Sequence, residues 1–172
     1  GRDAFDKPIN IDLHNSIDQL KEIRRKHTNK IIIGNLNINS LRNKFLQLKH
    51  LILKNVDILV VTETKLDETF LNANFRVEGF SDPYRLDRSD GGGGVMVFVK
   101  DTIASRLLTK HIFPEDIEAV FIELNFRSCK WLLCGTYHSP SQSDIYYFKH
   151  LDIALDNYSK YENKLLIGDF NM

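Results

Sequence analysis

Two cysteines, four prolines and a single tryptophan are all that the 172 residues hold of those types, and each shortage narrows what the chain can be. Cys129 and Cys134 stand five positions apart in "CKWLLC". Drawn out as one strand, that spacing separates their α-carbons by about 16 Å, out of reach of a disulfide. A disulfide-stapled scaffold is excluded, and reduced thiols fit an intracellular setting. Net charge is lacking too: 23 basic and 23 acidic residues cancel. No overall field draws in a polyanion, so any such site has to be built from a local patch or a bound cation. No apolar run approaches the roughly 20 residues that span a bilayer, and "GRDAFDKPINIDLHNSIDQL" at the amino end is too polar for a signal peptide. No membrane partner is expected, and repeats and low-complexity tracts are absent.

What remains is the composition of an ordinary soluble domain, 42% hydrophobic and 27% charged, long enough for one sizeable core. The first residue is Gly1 instead of methionine, which reads as a piece of a longer polypeptide. Residues 1–28 read as a mobile leader with a short helix, capped by Asn15 or Ser16 and carrying Ile17, Leu20 and Ile23 three apart. From residue 29 the order is strand "KIIIGNLNI", then a helix whose stripe is Leu41, Phe45, Leu48 and Ile52. A second buried strand, "VDILVVTET", leads into an irregular stretch around Pro83 with no single period. "GGGGVMVFVK" alternates Val95, Val97 and Val99, and "IEAVFIELNFRSCKWLLCGTYHSP" reads as a hairpin turning near Arg127 and Ser128. Ser143 or Asp144 caps a last helix with Ile145, Phe148, Leu151, Leu155 and Tyr158 on one side, and "KLLIGDF" closes the pattern as a strand.

Several of these apolar strands end in a polar residue: Asn37, Glu63, Tyr137, and Asp169 with Asn171. On one rim of a sheet they would converge, and carboxylates with amides suit a hard cation such as Mg²⁺, which takes oxygen ligands and leaves positions for water and phosphate. Polar strand ends serve equally well to meet solvent or cap the next turn.

The motifs "LNINSLRNKF", "DILVVTETKLD", "YRLDRSDGGGGVMVFVK", "CGTYHSP" and "LLIGDFN", in this order, resemble the endonuclease/exonuclease/phosphatase superfamily. More narrowly, they resemble the apurinic-type endonuclease domain at the front of non-LTR, LINE-like retrotransposon polyproteins, over about residues 29–172. The resemblance implies a DNase I-like, two-sheet α/β sandwich with helices on the outer faces. It implies that Glu63 ligates Mg²⁺, with Mn²⁺ able to substitute, and that Asn37 supports both the metal and the catalytic aspartate, with Asn39 on the same face. Tyr137 would contact the scissile phosphate, Asp169 would orient or deprotonate water, and Asn171 would hold a phosphoryl oxygen. His138 departs from the Asn or Arg that many relatives carry. The implied reaction nicks one DNA strand, leaving a 3′ hydroxyl to prime reverse transcription, in the nucleus if the retroelement protein is functional. The family domain continues past "GDFN" with more strands, a further aspartate and a histidine paired with an acid. The domain is therefore expected to be C-terminally incomplete, with much of one inner sheet face uncovered. A phosphatase or phospholipase acting on small phosphoesters, and a catalytically silent remnant, are the competing readings; oligomeric state is left open.

Other candidates have plainer readings beside them. Gly91 to Gly94 lack the Lys-Ser/Thr of a P-loop and precede a strand, so they read as a flexible connection. Arg85 and Arg88 face DNA phosphates or else pair with Asp87 and Asp90. Arg42 and Lys44, at the helix start, touch the DNA backbone or only line an exposed helix face. The six histidines lack metal-ligand spacing. Trp131 reads as core, and Tyr146 with Tyr147 as core or helix surface.

Overall fold

The computed structural model describes residues 16–88, 91–109 and 113–172. Asn15 and Asp90, named above as a cap and a partner, lie outside the described residues. The elements in chain order are α1 (Ser16–Lys26), β1 (Ile33–Asn37), α2 (Phe45–Ile52), β2 (Ile58–Thr62), β3 (Tyr84–Leu86), β4 (Val95–Val99), β5 (Ala104–Leu107), β6 (Glu118–Phe126), β7 (Cys129–Tyr137), α3 (Asp144–Asn157) and β8 (Asn163–Asp169). They form two four-stranded sheets, ordered β1-β2-β4-β3 and β5-β6-β7-β8. In each sheet one pair is parallel, β1 with β2 and β7 with β8, and the rest are antiparallel. The architecture is the expected two-sheet α/β sandwich.

Strand alternation explains the layering. Ile58 and Val60 of β2, Val95, Val97 and Val99 of β4, Val120 and Ile122 of β6, and Leu133 of β7 point inward and pack as one core between the sheets. The opposite residues, Leu59, Val61, Met96 and Phe98, face outward under α1 and α2 with Leu41, Leu48 and Ile52. On the second sheet, Ala119, Phe121, Leu132 and Cys134 face outward under α3. Every strand of the two central pairs is thus buried on both faces, which is why "ILVVT" and "VMVFV" read as unbroken apolar runs. Arg127 and Ser128, with φ of 47° and 67°, make the tight β6–β7 turn at the place the sequence marks.

Four expectations need correcting. The inner faces of the sheets cover each other, with Ile58, Val60, Val97, Ile122 and Leu133 all at 0% exposure, so among the described residues no inner face stands bare; the partly buried residues at the margin of this core include Ile33, Leu165 and Ile167 on the edge strands β1 and β8. The described part of the leader is not loose: Leu20 is buried in the core under α1, and Arg24 pairs with Asp57. The buried stripe of α3 is Tyr147, Leu151 and Ala154, continued by Tyr158, while Ile145 is 84% exposed. Tyr147 goes inside because its hydroxyl bonds to Thr136 Oγ1, which satisfies the polar tip of an otherwise apolar ring. Finally, Gly93 and Gly94 are packed instead of flexible, as shown below. Strands β3 and β5 carried no signal, being three and four residues long with no fully buried residue.

At the far end of β6 the Glu123 carboxylate accepts from Arg106 Nε (2.8 Å) and Nη2 (3.1 Å) and from the Tyr161 hydroxyl. The Arg106 bonds first, then the Tyr161 bond, pull its pKa from 4.5 down to about 2. A carboxyl depressed on folding stabilises the protein above its ordinary value, and that contribution fades as pH falls toward the folded value. The melting-temperature difference between the protein and Glu123→Gln is expected to shrink as pH drops from about 5 toward 2. Parallel pH profiles for the two proteins would show that the network contributes nothing.

Candidate functional site at the strand ends

β1 and β2 run parallel, so Asn37 and the residue after Thr62 emerge at the same rim. β7 and β8 also run parallel, with Tyr137 beside Asp169. The sheets pack so that these two rims meet. Asn37 Nδ2 donates to Glu63 Oε1 at 2.8 Å and to Asp169 Oδ2 at 2.9 Å, using both N–H bonds of one amide to hold a carboxylate from each sheet. Its oxygen accepts from the Asn39 N–H at 3.1 Å, which fixes the amide's orientation. Beside it, Asn35 Nδ2 donates across the sandwich to the Gly168 carbonyl at 2.9 Å. The Tyr137 hydroxyl donates to Glu63 Oε1 at 3.1 Å.

Backbone conformation concentrates here as well. Asn39, Ser40, Glu63, Lys65 and Asn171 all have positive φ, between 44° and 80°. Residues with side chains hold such conformations only where their surroundings fix them, and such positions gather at functional sites. The chain around Glu63 is clamped by Ile38 N–H to the Thr62 carbonyl (3.0 Å), Ser40 N–H to the Glu63 carbonyl (2.8 Å) and Leu41 N–H to the Thr64 carbonyl (2.9 Å).

The electrostatics follow from these contacts. The Asn37 amide first, and then the Tyr137 hydroxyl and the Lys65 ammonium, hold the Glu63 carboxyl below its usual range against the opposing effect of partial burial. Burial, and after it the Glu63 charge, pushes the Tyr137 phenol up to about 12, so it is a neutral donor near pH 7. The site thus presents an ionised carboxylate and a protonated phenol side by side.

The remaining candidates sit around this centre. Asn171 Nδ2 donates to the His138 carbonyl at 2.7 Å and its N–H to Asp169 Oδ1 at 3.2 Å, so the side-chain amide is turned onto the backbone of the strand end. Lys44 Nζ donates to the carbonyls of Ile38 (2.7 Å) and Asn39 (2.8 Å), bracing the turn after β1. Arg42 is held by the Lys65 carbonyl, Asp67 and the Phe70 ring. Arg85 pairs with Asp87 and reaches the carbonyls of Asp67 and Phe70, which settles it as a structural tie. Arg88 Nη1 lies 3.6 Å from Glu118 Oε2.

Lys65 went unread in the sequence, and His138 stands out there only for its departure from relatives. Lys65 Nζ donates to Asn39 Oδ1 at 2.6 Å and lies 3.5 Å from Glu63 Oε2, adding a cation to the rim. Its signal is its place two residues after Glu63. His138, almost fully buried, sets its two ring nitrogens against the carbonyls of Phe170 (2.7 Å) and Gln142 (3.2 Å), tying the ends of β7 and β8 to the start of α3.

No curated protein sequence matches the chain significantly. Among solved structures it resembles a 3′ phosphatase from Neisseria bound to a product DNA hairpin, at 21% identity and a TM-score of 0.60, over 83% of this chain and 58% of that one. It resembles an AP endonuclease from Archaeoglobus fulgidus at 20% identity and a TM-score of 0.55, over 83% and 58% of the two chains. The endonuclease domain of TRAS1, a telomere-specific non-LTR retrotransposon, matches at 12% identity and a TM-score of 0.59, over 83% and 59%. The chain therefore spans somewhat under two thirds of each of these structures. A family model for the endonuclease/exonuclease/phosphatase family matches residues 34–172, from the first strand through the rim just described, and the chain belongs to that family.

Proposed function

We propose that this chain carries the first part of a metal-dependent DNA endonuclease site that hydrolyses a phosphodiester in one strand. The observation that supports it most is the single Asn37 amide holding Glu63 and Asp169 from opposite sheets. The oxygen donors of Glu63 and Asp169 are of the kind Mg²⁺ or Mn²⁺ takes, and one or two carboxylates are what such an ion commonly draws from a protein. In this reading Glu63 would be the main ligand, and an ion held there would supply Lewis-acid polarisation of a phosphoryl oxygen. Asp169 orients the attacking water and accepts its proton, restrained by bonds to both of its oxygens. Tyr137 would turn its O–H from Glu63 to a phosphate oxygen, and Asn171 offers the amide that stabilises charge developing there. Asn39, Arg42, Lys44 and Arg88 lie around the rim as contacts to the DNA backbone.

The likeness to the TRAS1 domain and the run of motifs support a retroelement setting, in which the nick leaves a 3′ hydroxyl that primes reverse transcription in the nucleus. No helix among the described residues is long and apolar enough to cross a membrane.

The test uses the complete polypeptide in which this chain occurs. Mn²⁺ titration followed by paramagnetic broadening is expected to show binding that Glu63→Gln weakens by more than about tenfold. Supercoiled plasmid is expected to be nicked only with Mg²⁺ or Mn²⁺ present. Turnover of small phosphoesters without nicking would favour a phosphatase, and ion binding indifferent to Glu63→Gln would remove the assignment.

A further inference from the structure

Glu118 opens β6 on the side away from solvent, at 2% exposure, and in register it stands opposite Tyr137. A carboxylate in such a place is costly unless its oxygens are engaged. Here Oε1 accepts the Gly94 N–H, and Oε2 lies 3.6 Å from Arg88 Nη1. The glycines it touches have no room for anything larger. A Cβ on Gly93 would stand 2.2 and 2.5 Å from the two Glu118 oxygens, and one on Gly94 would stand 2.2 Å from Thr64 Oγ1. Their φ values, 47° and 92°, add a conformation that residues with a Cβ rarely adopt.

The other side of this glycine pair faces the site. The Gly93 carbonyl accepts the Lys65 N–H at 2.8 Å, and the Gly94 carbonyl accepts the Thr64 N–H at 3.4 Å. Those two residues directly follow Glu63, whose φ of 53° must be imposed from outside. The residue 38–41 turn clamps one edge of this segment and the glycine pair clamps the other.

We propose that Glu118 is a positioning residue of the site: its carboxylate anchors the Gly93–Gly94 strap, and the strap fixes the turn that presents Glu63. It touches neither substrate nor ion. The inference rests on the reading of Glu63 as the ion's ligand, and it explains why Gly93 and Gly94 precede β4 without forming a phosphate-binding loop.

The experiment compares backbone amide signals and Mn²⁺ broadening in the complete chain for Glu118→Ala, Glu118→Asp and Glu118→Gln. Glu123→Gln is the control, changing a second buried carboxylate of the same strand far from the rim. Glu118→Asp keeps the charge but withdraws it by one methylene, and it carries the test should Glu118→Ala not fold. Both are expected to shift the Thr64 and Lys65 amides, speed Lys65 exchange, and weaken Mn²⁺ binding by about 10- to 100-fold, the usual loss when a supporting partner of a metal ligand is removed. Glu118→Gln retains an acceptor oxygen for the Gly94 N–H and is expected to stay close to the parent. Glu123→Gln is expected to lower the melting temperature without moving those amides. Thr64 and Lys65 signals unchanged in Glu118→Asp, or moved equally by Glu123→Gln, overturn the inference even where Glu63→Gln abolishes ion binding. Moved amides with binding indifferent to Glu63→Gln keep the strap and overturn the ion reading instead.

Discussion

Asp169→Asn is expected to lower plasmid nicking by about 10²- to 10⁴-fold, the range over which a positioned general base contributes, while the melting temperature stays near that of the parent. The two side chains have the same shape, and the substituted amide keeps one oxygen to accept either the Asn37 or the Asn171 N–H that Asp169 now receives. What it loses is the negative charge and the capacity to take a proton from water. Asn171→Ala is expected to cost less, on the order of 10²-fold, as for removal of one transition-state donor. Part of that loss would come from geometry, because the Asn171 amide also ties down the His138 carbonyl. Measured rates with Asp169→Asn close to the parent's would remove Asp169 from the proposed chemistry.

Gly168→Ala is expected to be the most damaging single methyl group at the site. A Cβ there would lie 1.8 Å from the Thr136 carbonyl oxygen and 2.7 Å from its carbon. The obstacle is backbone in a paired neighbouring strand, so no rotamer change relieves it. β8 has to separate from β7, which breaks the parallel ladder between Thr136 and Gly168 and moves Asp169 with it. Overpacking a tight interior costs about 1–3 kcal/mol, occasionally more, and strand separation puts this case at or above the upper end. At roughly 2–4 °C per kcal/mol for a domain of this size, thermal melting should show a fall of about 6 °C or more, accompanied by loss of nicking. A melting curve superimposable on the parent's would mean that the strands can part there at no cost.

Much of this architecture was legible in the sequence because the central strands advertise themselves. "ILVVT", "VMVFV" and the two arms around Arg127 and Ser128 are apolar enough, and bounded clearly enough, to be read without a partner in view. The site was legible for a related reason: parallel strands place their ends on a common rim, so polar residues at Asn37, Glu63, Tyr137 and Asp169 could be grouped before their distances were known. What escaped notice depends on contacts across the sandwich. Tyr147 goes inside only because Thr136, on the strand beneath, meets its hydroxyl. Gly93 looks like slack until Glu118, 25 positions on in the chain, is seen filling the space a side chain would need. Lys65 and Asn39 are 26 residues apart and become neighbours only when β1 and β2 align. Strand β5 lies at an edge with most of its residues in water, so nothing in its composition sets it apart from a loop.

The bond from Asn37 to Asp169 joins positions 132 residues apart, and the neighbouring Asn35 bond to Gly168 spans 133. Contacts so distant along a chain close late, since the entropy of the intervening loop is lost before they repay it. During synthesis the amino-terminal sheet is made first, while the strand bearing Asp169 is still to emerge from the ribosome. Until that strand arrives, the nascent chain holds Glu63 without its opposing carboxylate. Under the proposed chemistry, the site is thereby born inert and becomes competent only after its two sheets have docked.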